Sequence, residues 1–305
     1  MYKSKVTSEI KVKLVSYTKD PELTAFLVWV HSRPFIWQDL NKMNINTVED
    51  IRSAYQSRNE SFITYLNDTL KKLLETDLPI IECINFTFSF DDLPVYIRDQ
   101  LVRHRNSSVW SQTSRNNNDS AYFDGYIPDE INENEAAKSE LESLYKNARD
   151  TFTKLIELGI PAEDARAVIP SGKLTALCWT MNLRELKKIL RERGCFIAQG
   201  PWREIICQIK EELSHNGMEL FAESIGMPPC KYTRCIYSGE NEQRRCGKDI
   251  LPICPLYCHQ KGDEVYPSNQ NKEYLIKNLN TLSRIWKPQV IEFLKSYVNK
   301  GDLTE

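Results

Sequence analysis

Residues 98–115 read Arg-Asp-Gln-Leu-Val-Arg-His-Arg-Asn-Ser-Ser-Val-Trp-Ser-Gln-Thr-Ser-Arg. It combines four arginines and one histidine with five hydroxyl side chains, and its only acidic residue is Asp99. Guanidinium groups and hydroxyl donors match the oxygens of a phosphate. The composition therefore favours an anion site, with phosphate as the anion, and the alternative is a solvated basic helix end.

A helix is predicted to lead into the basic triplet 103–105 of this stretch. Asp92 is its predicted N-cap, Pro94 lies in the first turn, and Ile97 and Leu101 follow at helical spacing. The first and third residues of the triplet point about 200° apart on a helix. The triplet is therefore suited to contact two different partners.

The composition is that of an ordinary globular protein. The chain has 305 residues, of which 41% are hydrophobic and 27% charged, and its formal net charge is −2. Such a balance argues against general binding to nucleic acids or membrane surfaces, so the basic stretch is a local feature. The apolar run Ala25–Val30 is far too short to span a bilayer, and the sequence does not open like a signal peptide. We therefore expect a cytoplasmic protein without a membrane or nucleic acid as partner.

Apolar patterns before the basic stretch predict strands and helices. Ile10–Tyr17 alternates as a strand does, and Thr47 opens a helix with a capping box. Two further helices are expected, one from Pro21 to about His31 and one that ends before Pro79. The clearest strand places four side chains on one face: Ile84, Phe86, Phe88 and Phe90. This face is expected to pack on helices, while the polar face borders a site or another subunit.

The chain beyond the basic stretch is predicted to be mainly helical. Asn116–Asn134 is polar and is interpreted as a loop, and Ala162–Val168 as a short helix that carries Arg166. The long helix between them has an apolar stripe formed by Leu141, Leu144, Tyr145, Ala148, Phe152, Leu155 and Ile156.

A second informative segment is Leu174–Arg193. Asn182 is expected to cap a helix whose apolar stripe contains Leu186, Ile189 and Leu190. Arg193 returns to nearly the same face as Asn182. A guanidinium that extends an apolar stripe either reaches out to water or pairs with an anion.

Cysteines are concentrated near the C-terminus. Five of them lie within 29 residues and a histidine follows directly: Cys230, Cys235, Cys246, Cys254, Cys258 and His259. No pair has Cys-x-x-Cys spacing, but this density without a secretory signal favours a structural metal site formed by four of the six residues. Zinc fits better than an iron–sulfur cluster, and reduced thiols are the alternative. Glu273–Val298 then predicts one or two helices interrupted at Pro288.

Several common catalytic patterns are absent from the sequence. It contains four histidines and has no Gly-x-Ser-x-Gly elbow, His-Glu-x-x-His pair, Walker loop or Gly-x-Gly-x-x-Gly turn. Hydrolytic arrangements thus find little support, and a dinucleotide would be held by something other than a Rossmann turn.

The quoted stretch resembles the signature of the flavin-dependent thymidylate synthases. Arg103-His104-Arg105 is followed by Ser108 and by Thr113-Ser114-Arg115, close to the family's Arg-His-Arg, seven residues, Ser and Arg. The resemblance extends, in the same order, over roughly residues 10–215. Its other parts are Val12–Glu22, Phe86-Thr-Phe88, Gln100-x-x-Arg103, Ala165-Arg166-x-Val-Ile-Pro170, Trp179-Thr-x-Asn182-x-Arg184-x-Leu186 and Leu190-x-x-Arg193.

This resemblance implies an α+β fold, with an antiparallel sheet and flanking helices, in a homotetramer that shares active sites between subunits. It implies FAD as cofactor, with NADPH and methylenetetrahydrofolate as co-substrates. The expected reaction transfers a one-carbon unit to C5 of a pyrimidine nucleoside monophosphate, converting dUMP to dTMP. We predict a catalytic domain over residues 1–225 and a Cys-rich module with C-terminal helices over residues 226–305.

The resemblance also assigns roles to single residues. Arg193 would be catalytic, placed against the pyrimidine carbonyl and N3. The other residues that would bind the nucleotide are Gln100, Arg103, Thr113, Ser114, Arg115 and, from another subunit, Arg166. Those that would bind FAD are Arg103, His104, Arg105, Ser111, Asn182 and Arg184.

The chain departs from the family pattern around the base and the flavin. Ser111, next to Trp110, stands where the family has a glutamate, and Thr113 replaces a serine. The segment 78–83 lacks the family's histidines, and Ala198-Gln199-Gly-Pro-Trp202 is two residues longer than the family's Ala-Gln-Trp. Two alternatives follow: C5 methylation or hydroxymethylation of another nucleotide such as dCMP, or a non-catalytic zinc-containing protein that binds nucleotides or nucleic acid.

Overall fold

The computed structural model describes residues 6–76, 78–112, 123–194 and 198–225, together with Lys295 and the backbone of two short strands near the C-terminus. The chain divides into two compact units, Met1–Val15 with Thr87–Thr180 and Ser16–Phe86 with Met181–Glu305. Among the described residues, we find no helix with the length and apolar character needed to cross a membrane.

Strands and helices alternate irregularly along the chain. The strands are β1 (Val6–Thr7), β2 (Lys11–Tyr17), β3 (Asn85–Pro94), β4 (Ser108–Ser111), β5 (Gly125–Tyr126), β6 (Leu174–Asn182), β7 (Cys258–Lys261) and β8 (Glu264–Pro267). The helices are α1 (Pro21–Ser32), α2 (Ile36–Lys42), α3 (Val48–Gln56), α4 (Glu60–Glu75), α5 (Val95–Leu101), α6 (Asp129–Asn132), α7 (Glu135–Glu157), α8 (Ala162–Ala165), α9 (Leu183–Arg193), α10 (Pro201–His215) and α11 (Glu219–Ser224).

A four-stranded sheet with the order β2-β3-β6-β4 forms the centre of the fold. β4 runs antiparallel to β6, with Val109 opposite Trp179. On β3, the predicted face made by Phe86, Phe88 and Phe90 is fully buried. Burial of three aromatic rings on one face supplies much of the free energy that holds helices against a sheet. The predicted α+β fold class is therefore confirmed.

Local sequence signals explain where several helices begin. Thr47 and Asp50 form the predicted capping box, in which each side chain accepts a hydrogen bond from the backbone N–H of the other residue. The carboxamide oxygen of Asn182 accepts from the backbone N–H of Glu185, 2.9 Å away, so the predicted cap of α9 is also present. The expected strand at residues 10–17 and the helices beginning at Pro21 and ending before Pro79 are confirmed as well.

The prediction that Asp92 caps α5 is wrong. Asp92 belongs to β3, has a left-handed backbone (φ 58°) and pairs with Lys11 at 3.1 Å. The helix begins only at Val95, with Pro94 in the N-cap position. Its first amides, those of Val95 and Tyr96, instead donate to the carbonyl oxygens of Lys173 and Ser171. Backbone from a distant segment thus replaces the side-chain cap that the local sequence suggested.

Two other predictions need correction. The described part of the expected loop 116–134 contains β5 and α6, so it is not irregular throughout. On α7, Leu144 and Ile156 are 51% and 40% exposed, although both were assigned to the apolar stripe. The buried face of α7 is narrower because it packs on a small cluster around Phe123, through Tyr145 and Ala148.

Neither β6 nor α10 is among the elements predicted above. In β6, Leu177, Trp179 and Met181 are buried at alternate positions, which is a strand pattern that the sequence displays. In α10, Pro201 lies in the first turn, and Trp202, Ile205, Ile206, Ile209 and Leu213 are buried at helical spacing.

The C-terminal predictions fall mostly outside the described residues. These include the helices of 273–298 and four of the predicted metal ligands, Cys230, Cys235, Cys246 and Cys254. Cys258 and His259 lie on β7, whose backbone pairs antiparallel with β8. The division into domains 1–225 and 226–305 stays a prediction.

Candidate active site

The basic triplet 103–105 lies in a tight turn between α5 and β4, so the expectation that a helix delivers it is confirmed. The backbone N–H of Arg103 donates to the carbonyl of Gln100 (3.2 Å), and that of His104 donates to the carbonyl of Leu101 (3.1 Å). The carbonyl of His104 in turn accepts a 2.6 Å hydrogen bond from the Ser107 hydroxyl. Arg103 and Arg105 are exposed, while His104, which lies between them in the sequence, is half-buried.

The helix that leads into this turn is anchored by two buried side chains. Ile97 and Leu101 on α5 are fully buried, which anchors the helix one and two turns before the triplet. Beside the start of α5, burial lowers the pKa of Lys173, and the Arg98 guanidinium lowers it further. Arg98 is itself paired with Asp99, whose Oδ1 accepts from Nε at 3.1 Å and from Nη2 at 2.8 Å, so part of the positive charge of 98–115 is neutralised here.

Ser111 and Trp110 lie on β4, at an edge of the four-stranded sheet. Neighbouring side chains of a strand point to opposite faces, so the two residues do not serve the same surface. Ser111 is half-buried, whereas Trp110 is 83% exposed. The structure thus places Ser111 on the same continuous segment as the triplet, six residues beyond Arg105.

Two predicted nucleotide ligands also belong to the first unit. Gln100 is half-buried in the last turn of α5, and Arg166 is half-buried directly after α8, where the buried Ala165 fixes the backbone. The remaining nucleotide ligands of the signature, Thr113, Ser114 and Arg115, lie outside the described residues.

The second unit holds the other predicted site residues, Asn182, Arg184 and Arg193, on or next to α9. Besides the Asn182 cap, this helix is fixed by Lys187, which is buried and donates to the carbonyl oxygens of Leu74 and Thr76. These carbonyls lie at the C-terminal end of α4. There the Lys187 ammonium pairs with acceptors that the helix leaves unpaired, and it interacts favourably with the negative end of the helix dipole. Residues on α9 therefore have a rigid support.

Arg184 is paired with an acid that the sequence analysis did not assign to the site. Its Nη1 donates to Oε1 of Glu82 at 2.6 Å, and the two side chains are 43% and 46% exposed. Glu82 lies in the short 3₁₀ helix Pro79–Cys83, within the segment that departs from the family's histidine pattern. The two residues are 102 positions apart, so no local spacing signals the pair.

Arg193 packs against an aromatic ring. Its guanidinium carbon lies 5.2 Å from the centre of the Trp202 ring, and Trp202 is fully buried at the start of α10. Such a cation–π contact restrains the plane of the guanidinium. The sequence singled out both residues but did not indicate that they meet.

The described side chains form no metal site. Within that part of the chain, no group of three or more His, Cys, Asp or Glu side chains is arranged to hold a metal ion. The predicted ligands lie elsewhere, so the zinc site stays a prediction.

Comparison with known proteins identifies the family. The family model described as thymidylate synthase complementing protein, Thy1, matches residues 13–216. The chain belongs to this family. The flavin-dependent thymidylate synthase of Saccharolobus solfataricus is 31% identical over 234 residues, which cover 76% of this chain and 83% of the relative. That of Sulfurisphaera tokodaii is 30% identical over 213 residues, or 70% of this chain and 76% of the relative.

A solved structure supports the fold. The UMP/dUMP methylase PolB from Streptomyces cacaoi, crystallised with 5-Br dUMP, superposes with a TM-score of 0.54 at 16% identity, covering 73% of this chain and 98% of PolB. The predicted Thy1 family and the flavin-dependent enzyme class are thus confirmed. The roles of single residues stay predictions.

Proposed function

We propose that this Thy1 protein transfers a one-carbon unit from methylenetetrahydrofolate to C5 of a pyrimidine deoxynucleotide, converting dUMP to dTMP with FAD that NADPH reduces. The turn 103–105 carries this proposal, because it combines the exposed side chains of Arg103 and Arg105 with the half-buried His104 in a chain of the flavin-dependent family. Guanidinium and imidazole groups match the anionic groups of a nucleotide and of FAD.

On the nucleotide side, Arg103 binds the phosphate together with Gln100 and the segment Thr113-Ser114-Arg115. Arg166, supplied by another subunit of a homotetramer, completes the set of cations. The exposed guanidinium of Arg103 supports this role, because a phosphate dianion is bound most tightly by forked, charged donors.

On the flavin side, the donors are Arg103, His104, Arg105, Ser111, Asn182 and Arg184. Their chemistry fits FAD, since guanidinium, imidazole and hydroxyl groups match the pyrophosphate and the polar edge of the flavin ring. When bound, FAD supplies the carbon relay and the hydride. The protein residues bind and orient it.

Arg193 acts at the base. Its contact with Trp202 restrains the guanidinium plane, and from there its N–H donors polarise the pyrimidine carbonyl next to N3. A donor already oriented for this oxygen would stabilise the polarised form of the base, in which electron density is shifted onto the carbonyl oxygen. Arg193 is therefore the residue to which we assign catalysis.

Ser111 favours a second candidate substrate. A serine in place of the family's glutamate removes a charged acceptor close to the expected base and flavin, and Ser111 is half-buried on β4. Such a change alters hydrogen bonding to the base edge. The alternative is therefore C5 methylation or hydroxymethylation of dCMP or another pyrimidine nucleotide.

We further propose that residues 226–305 form a module stabilised by zinc and that the protein is cytoplasmic. The cysteine density supports the metal, because a polar segment of this length needs a crosslink or a metal to stay ordered.

A substrate panel tests the function. The purified protein is expected to show flavin absorbance and to act on dUMP, dCMP, UMP or CMP with methylenetetrahydrofolate and NADPH. Product masses distinguish methyl from hydroxymethyl groups. Turnover of dUMP to dTMP supports the first candidate, and turnover of another base the second. Colourless protein that takes up no FAD would overturn both.

A further inference from the structure

The pair between Glu82 and Arg184 joins two segments that other contacts already hold in place. The backbone N–H of Leu183 donates to the carbonyl of Ile84 at 2.8 Å. Asn85 is fixed on the other side, because its N–H donates to the Thr18 hydroxyl at 2.9 Å. Ile81 and Leu183, the neighbours of the pair, are fully buried. The backbones of both partners are therefore positioned without help from the ion pair.

The pair itself contributes little to the stability of the fold. Both side chains are almost half exposed, and an exposed ion pair is largely screened by water. Its 2.6 Å geometry nevertheless holds one end of the Arg184 guanidinium. A guanidinium has five N–H donors in a rigid fork, and this contact engages only the Nη1 end. The remaining donors are thereby held in one orientation.

We propose that Glu82 is a positioning residue of the flavin site, which orients the Arg184 fork for the FAD pyrophosphate. This inference rests on the proposed function, in which Arg184 binds FAD. A long arginine side chain loses conformational entropy when it binds a ligand, which weakens binding. A partner that already restrains the side chain in the free protein reduces this entropy loss. Glu82 therefore raises FAD affinity without contacting FAD.

A double-mutant cycle tests the proposal. FAD dissociation from the purified flavoprotein is measured as the flavin fluorescence released on serial dilution, for the wild type, Glu82→Ala, Arg184→Ala and the double variant. We expect Glu82→Ala to weaken FAD binding about two- to fivefold, because an exposed ion pair restrains its arginine only weakly. The double variant should bind FAD no more weakly than Arg184→Ala alone, because Glu82 acts only through Arg184.

Two further variants separate positioning from general damage. Glu82→Gln retains an oxygen acceptor and should recover most of the affinity. Glu49→Ala breaks another exposed pair, with Arg52 at 3.8 Å on α3, and should leave FAD affinity unchanged. The thermal midpoints of Glu82→Ala and Glu49→Ala should both stay close to that of the wild type.

Two results would overturn the inference while the proposed function stands. In the first, Glu82→Ala binds FAD as tightly as the wild type; in the second, the effects of Glu82→Ala and Arg184→Ala simply add. A wild-type protein that binds no FAD contradicts the proposed function itself, so the two failures are distinguishable.

Discussion

The guanidinium of Arg193 stacks on the ring of Trp202, with 5.2 Å between the guanidinium carbon and the ring centre. The contact joins the last turn of α9 to the first turn of α10. It explains how an arginine continues an apolar stripe: its flat, weakly hydrated face packs like an aromatic ring, while its edge keeps hydrogen-bond donors.

Replacing Arg193 by alanine should separate cofactor binding from catalysis. In the proposed function Arg193 supplies an oriented donor to the base, so we expect Arg193→Ala to retain FAD and to lose about 100-fold or more in kcat. Arg193→Lys keeps the charge but not the fork and should recover only part of the loss. Flavin absorbance and steady-state kinetics measure the two effects. Unchanged turnover would show that Arg193 serves only to pack on Trp202.

Asn182 is expected to have two separable roles. Asn182→Ala removes the cap that accepts from the Glu185 N–H and should lower the free energy of unfolding by about 1 kcal/mol. Asn182→Ser retains a capping oxygen, so it should recover most of this stability in denaturant unfolding. If the carboxamide also binds FAD, Asn182→Ser will still bind it more weakly than the wild type. Equal FAD affinity would restrict Asn182 to the cap.

Two glycines approach Tyr145 so closely that a methyl group should destabilise the fold. A Cβ at Gly125 would lie 2.6 Å from the Tyr145 ring, and one at Gly172 would overlap its hydroxyl oxygen. That hydroxyl donates to the carbonyl of Tyr126 at 2.7 Å. We therefore expect Gly125→Ala and Gly172→Ala to lower stability by about 1–3 kcal/mol in thermal or denaturant unfolding.

Tyr145→Phe provides the control for the two glycines. Removing the hydroxyl should partly rescue Gly172→Ala, since the clash involves mainly that oxygen, but not Gly125→Ala, which meets the ring. An equal response of both variants to Tyr145→Phe would contradict this packing.

Glu22 should make stability depend on pH. It lines a cavity of about 360 Å³ in the second unit with Tyr55 and Arg58. Burial raises the pKa of Glu22, and the Asp20 and Glu219 carboxylates raise it further while Arg58 opposes them. Because the folded-state pKa exceeds the unfolded value, the protonated carboxyl stabilises the fold at low pH. This contribution is lost as the pH rises through the folded-state pKa.

The corresponding variant is Glu22→Gln. It should raise the thermal midpoint relative to the wild type at pH 7.5, and the difference should shrink towards pH 4, where the wild-type side chain is itself neutral. Glu49→Gln, at an exposed position of α3, serves as the control. A difference of the same size at both pH values would exclude a raised pKa as its cause.

The cysteine module is tested by metal content. If Cys254 ligates the predicted structural zinc, Cys254→Ser should lower bound zinc, measured by elemental analysis, and reduce thermal stability more than kcat. Cys178→Ser is the control, since Cys178 is half-buried on β6 and outside the cluster. Unchanged zinc content in Cys254→Ser would remove this residue from the ligand set.

Structural features that depend on residues close together in the sequence were predictable. The capping box at Thr47 and the cap at Asn182 are contacts over three residues. The buried face of β3 follows from simple alternation. β6 shows the same alternation from Leu177 to Met181, so the information was present although the strand was not predicted. The basic triplet likewise indicated the family before any fold was known.

The sequence by itself therefore determined the family, the α+β class, the starts of α1, α3, α8 and α9 and the residue types that can bind phosphate, because short-range hydrogen bonds and periodic burial are encoded over a few positions. Only the tertiary structure decided that Asp92 pairs with Lys11 instead of capping α5, that Glu82 holds Arg184, and that Arg193 lies on Trp202. The first two pairs join segments more than 80 positions apart, and the third depends on how two helices pack. Such contacts are set by packing, which local patterns do not record.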